Sequence, residues 1–62
     1  MNIEQIISNC HRGVRVNVDN QEAGSQLMEQ VYEYASSLWI DVECEVFYDD
    51  SDQWVLWVLA IG

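Results

Sequence analysis

Apolar residues recur along this chain with two different periods, and each change of period marks an element. Ile3, Ile6, Ile7 and Cys10 are spaced for one face of a short helix. Asn2 precedes them and Gln5 follows three residues on, an arrangement in which cap and glutamine satisfy each other's backbone N–H groups. The stretch from Asn9 to Gly13 breaks the pattern. From Val14 to Asp19 the alternation is strict, with Val14, Val16 and Val18 set against Arg15, Asn17 and Asp19, which predicts a half-buried strand. Asp19 and Glu22 have capping-box spacing, with Asp19 as the cap, and they open a helix from about Asn20 to Leu38. Ala23, Gly24, Leu27, Val31, Tyr34, Ala35 and Leu38 share one side of that helix, with Met28 at the edge. Glu22, Ser25, Glu29, Glu33 and Ser36 share the other.

Period two returns at Ile40. Ile40, Val42, Cys44, Val46 and Tyr48 point one way; Asp41, Glu43, Glu45 and Phe47 point the other. The polar run from Asp49 to Gln53 predicts a turn, and Trp54 to Ile61 a last strand that is apolar on both faces. Such a strand needs cover on both sides, as a central or an interface strand. The last two strands form a hairpin, and a right-handed crossover sets the first strand parallel to the second. The expected fold is α+β: a three-stranded, mainly antiparallel sheet of order first–third–second, with the long helix on one face. The other face has two candidate covers, the short N-terminal helix or a partner.

Composition sharpens the picture at one point, the charge. Eleven Asp and Glu stand against two Arg and no Lys, giving a formal charge of −9. Arg12 and Arg15 are too few to neutralise phosphates, which argues against direct nucleic-acid binding. Half the residues are apolar or aromatic, so the chain can fold, and its length suits a single small acidic domain, 1–62. No apolar run approaches the roughly 18 residues of a membrane span, so no membrane partner is expected. Met-Asn-Ile-Glu has neither the basic flank nor the apolar run of a secretory signal, and a cytoplasmic location is expected.

Little in the chain suggests catalysis or a metal. His11, the one histidine, neighbours Cys10, and adjacent residues make a poor nucleophile–base pair because such pairs converge from separate elements. Asp49, Asp50 and Asp52 lack the glycine bend and late glutamate of a calcium loop. Cys10, His11 and Cys44 lack the paired-cysteine hook of a zinc site. No cofactor, no metal and no enzymatic activity are expected, and both cysteines read as packed thiols.

The acids form rows instead. Asp41, Glu43 and Glu45 repeat every ~6.6 Å along one face of a strand, the same order as neighbouring phosphates on a nucleic-acid strand. Asp49, Asp50 and Asp52 extend that row at the turn, and Glu22, Glu29 and Glu33 form a second acidic face on the helix. Phe47, Trp54 and Trp57 are the candidate apolar anchors beside the first row. Across its whole length the chain, small, acidic and without lysine, resembles in composition phage-encoded or mobile-element proteins that inhibit host nucleic-acid enzymes by imitating DNA. Two readings follow. In the first, the chain is an inhibitor whose partner is a basic protein, a nucleic-acid-binding enzyme or regulator, engaged through its nucleic-acid groove. In the second, it is a non-enzymatic homodimeric interaction module joined through the Trp54–Ile61 strand, with acids serving solubility alone. Salt separates them, because screening weakens the first interface and leaves the second.

Overall fold

A computed structural model describes residues 2–61. The chain forms helix α1 (Ile3–Asn9), a 3-10 turn (Cys10–Arg12), strand β1 (Val14–Val18), helix α2 (Gln21–Ser37), and strands β2 (Val42–Tyr48) and β3 (Trp54–Ala60). The sheet order is β1-β3-β2, and β3 runs antiparallel to both neighbours. The fold is the expected α+β arrangement, and its doubly apolar strand is the central one.

Each helix start is fixed by an asparagine. The Asn2 side chain accepts from the Gln5 N–H at 2.9 Å, and the Gln5 side chain accepts from the Asn2 N–H at 3.1 Å. At α2 the cap is Asn20 rather than Asp19: its side chain accepts from the Ala23 N–H at 2.8 Å. Both residue types cap well, so the expected box was one residue out of frame. Glu22 then lies in the first turn, where it opposes the positive end of the helix.

Val31 and Ala35 of α2 are buried with Val14, Val42, Leu56 and Val58 of the sheet. Gly24 brings α2 against the sheet, since a methyl group there would lie 2.8 Å from a Val46 methyl. Leu38, expected on the inward side, is 48% exposed because the helix ends there. The helix closes on a left-handed residue, Trp39 (φ 59°), with Trp39 N–H donating to Ser36 and Ile40 N–H to Ala35. Glycine is the usual occupant of that position, and a residue with a Cβ costs about 1 kcal/mol or more there.

The position of α1 decides which surface stays open. Ile6 and Ile7 join the core cluster beside Val31 and Ala35, and α1 packs against α2. Both helices therefore lie on one face of the sheet. Of the two candidate covers for the second face, the N-terminal helix is ruled out as an occupant. Among the described residues, no helix is long and apolar enough to cross a membrane.

Candidate interaction face

The open face is read directly from the strand register. Arg15, Trp57 and Glu45 stand in one cross-strand row, and Asn17, Val55 and Phe47 stand in the next. Glu43 lies opposite Leu59, and Asp41 sits just before β2, its carbonyl accepting from the Ile61 N–H at 3.0 Å. Glu43, Glu45 and Asp41 are exposed; Phe47, Trp57 and Leu59 are half-buried. The expected alternation of β2 holds, and it sets glutamates beside an apolar strip.

Packing on this face comes from long side chains. The Trp57 indole lies over Gly13, where a Cβ would come within 2.3 Å of the ring. The Arg15 guanidinium sits 5.8 Å from the Phe47 ring centre and pairs with the Asp49 carboxylate at 2.9 Å. The register places Val55 between Asn17 and Phe47, and Val55 is fully buried although no helix covers it. Arg15–Asp49 is the only ion pair among the described residues. It leaves Glu43 and Glu45 without a cation.

The anchors and turn acids separate by role. Trp54 pairs with Val18 and Tyr48, so it shares the helix side of the sheet rather than the acidic face, and it meets Tyr48 edge-on at 5.3 Å. Asp49 organises the hairpin: its side chain accepts from the N–H groups of Ser51 and Gln53 at 2.9 and 3.2 Å while pairing Arg15. Its charge is thus neutralised within the fold. Asp50 and Asp52 remain exposed, Asp52 with its carboxylate near the Tyr48 hydroxyl at 3.3 Å. Glu22, Glu29 and Glu33 are exposed on the outer side of α2, away from the sheet. The structure therefore brings together Glu43, Glu45, Phe47 and Trp57, with Asp41 just before the row and Asp49 held by Arg15 beside Phe47, and sends Trp54 and the helix acids elsewhere.

The free edge of β2 is partly closed. The Cys44 N–H, which points away from β3, donates to the Tyr32 hydroxyl at 3.2 Å. A capped N–H and charged neighbours blunt an edge against pairing with a further strand. Cys10 is buried, its thiol donating to the Ile7 carbonyl at 3.0 Å, and both cysteines are free. His11 is exposed at the 3-10 turn. Among the described residues, no three His, Cys, Asp or Glu side chains converge on a metal-sized space.

Burial raises the Cys44 thiol above its ordinary range, with the Tyr32 hydrogen bond acting the other way and Cys10 adding to the rise. Burial also raises Tyr32, more than its hydrogen bond to Cys44 lowers it. Both groups are neutral when protonated, so the native state holds these protons more tightly than the unfolded chain. That contribution to stability is complete below the unfolded cysteine value, about 8.5, and is lost as pH rises through the raised native values. The urea midpoint is expected to be flat in this term from pH 7 to about 8.5 and to fall from there toward pH 10. In a C44S/Y32F variant the alkaline fall should shrink.

Tyr32 and Trp39 did not stand out in the sequence, yet both are exposed, Trp39 at 96%. The only signal was an aromatic placed between a helix face and the start of a strand. Tyr32 and Trp39 line a groove of about 630 Å³ where α2 ends, together with Ser36, Ile40 and Asp41. Comparison with known protein families, with curated proteins and with solved structures returns no match, so the reading of function rests on these surfaces alone.

Proposed function

We propose that the chain is a small acidic inhibitor that occupies the basic nucleic-acid-binding groove of a DNA- or RNA-acting protein. This is the mode expected of a nucleic-acid mimic of the phage or mobile-element type, working in a cytoplasm. The observation that carries the reading is the open sheet face, where exposed Glu43 and Glu45 stand in line without a cation while the core behind them is complete. Unpaired carboxylates on one strand face repel by fractions of a kcal/mol per neighbouring pair. A basic groove would relieve that repulsion and, at charge −9, would be approached under electrostatic steering. Trp57 and Phe47 supply apolar contact between the charges.

The homodimer reading draws on the same apolar strip, with Ile61 exposed at its end. A two-fold interface through this face would bring Glu43 and Glu45 of both copies together, and like charges brought together cost affinity. The basic groove is therefore the better occupant.

Competition tests the choice. A protein retained on the immobilised chain should be released by duplex DNA or by RNA, and by salt that screens charge, while an uncharged polymer releases nothing. Retention that survives ~1 M salt and excess nucleic acid would favour the hydrophobic module instead.

A further inference from the structure

We propose that the groove at the C-terminal end of α2 seats an arginine side chain of the basic partner, stacked on the Trp39 indole and facing the Asp41 carboxylate. The inference rests on the partner being basic and deepens that reading by naming a contact. Four observations meet here. Trp39 is 96% exposed and holds a left-handed backbone (φ 59°) in which glycine would be less strained. A large apolar side chain kept at such a position has no packing role to justify it, and strain of this kind gathers at functional sites. The groove there is lined by two aromatic residues, Tyr32 and Trp39, and by one acidic residue, Asp41. The last turn of α2 carries no basic residue, so the negative end of the helix is left without a cation.

Charge and shape select the occupant. An indole face with a carboxylate alongside attracts cations, and Trp is the strongest of the aromatic side chains in this role. Guanidinium is flatter and more weakly hydrated than ammonium, so it stacks where lysine stays in water. The fold already uses the combination once, with Arg15 near Phe47 and paired to Asp49. Asp41 leads straight into the Glu43–Glu45 row, so an arginine seated here would be continuous with contacts along the open face.

The test uses the full chain and two blocked peptides, octa-arginine and octa-lysine, titrated at ~0.15 M salt. The wild type should prefer octa-arginine. Because glycine suits the left-handed position, W39G should fold with a higher unfolding midpoint, yet bind octa-arginine about tenfold more weakly, as loss of a buried-aromatic anchor does. The arginine preference should vanish in W39G, and D41N should weaken binding in the same direction. Unchanged octa-arginine affinity in W39G, or an equal loss for both peptides, would overturn the assignment. The parent reading fails separately. If E43Q/E45Q loses the nucleic-acid-competed partner while W39G keeps it, the groove assignment falls and the acidic-face reading stands. If both variants keep it, both fall.

Discussion

Alanine at position 13 is expected to be among the most damaging single substitutions in the chain. Gly13 has φ 84°, a conformation that side chains rarely adopt, and strain of that kind costs about 1–3 kcal/mol. The added methyl would also lie 2.3 and 2.6 Å from two Trp57 ring carbons, and overpacking adds roughly 1–3 kcal/mol. A chain of 62 residues has only about 3–9 kcal/mol to lose. G13A should therefore lower the urea midpoint sharply or prevent folding. G24A is the informative contrast. Its methyl would lie 2.8 Å from Val46 and 3.2 Å from Val18, but the backbone is helical and alanine gains about 1 kcal/mol there. Crowding and helix preference oppose each other in G24A; strain and crowding add in G13A. If G13A unfolds at the wild-type midpoint, Trp57 does not lie over Gly13, and the packing of the open face is wrong.

Leu56→Ala is the second large effect. Leu56 is fully buried on the central strand, between Val16 and Val46 and under the helices. Removing its buried methyl groups and leaving a cavity costs about 2–5 kcal/mol, the upper range applying where neighbours cannot collapse. Its neighbours are held by a sheet on one side and α2 on the other, so little collapse is available. Val55 is equally buried but faces the other way. Its cross-strand neighbours are the exposed Asn17 and the half-buried Phe47, with the Arg15 guanidinium near that ring, and these side chains can settle into the space a smaller residue leaves. V55A should consequently cost clearly less than L56A in the same urea titration. Equal losses would mean that the open face is as rigidly packed as the core.

What the sequence made legible follows from periodicity. Strict alternation in Val14–Val18 and period two in Val42–Tyr48, with apolar residues at both parities in Trp54–Ala60, were enough to predict three strands and the central one. The inward-facing side of α2 was equally clear, except at Leu38, where the helix had already ended. The apolar spacing of Ile3, Ile6, Ile7 and Cys10 said that α1 must be covered but not by what; its packing beside α2 is a tertiary outcome. Asp49 read as one acid among several, because its cation, Arg15, lies 34 positions away along the chain. Trp39 was overlooked for a different reason. A left-handed helix end normally shows itself as glycine, and here tryptophan occupies the place.

The three tryptophans distribute themselves so that one titration reads the surface. Trp57 stands on the open acidic face, Trp39 in the groove at the end of α2, and Trp54 on the helix side of the sheet. Each indole N–H gives a separate signal in a nitrogen-edited proton spectrum. When an arginine-rich peptide is added at ~0.15 M salt, the Trp57 and Trp39 indoles should shift together with the amides of Glu43 and Glu45. Trp54 and the amides of Glu22, Glu29 and Glu33 should stay in place. A spectrum in which Trp57 is still while Trp54 or the helix glutamates move would contradict the account, because the acidic sheet face would not be the surface that meets a basic partner.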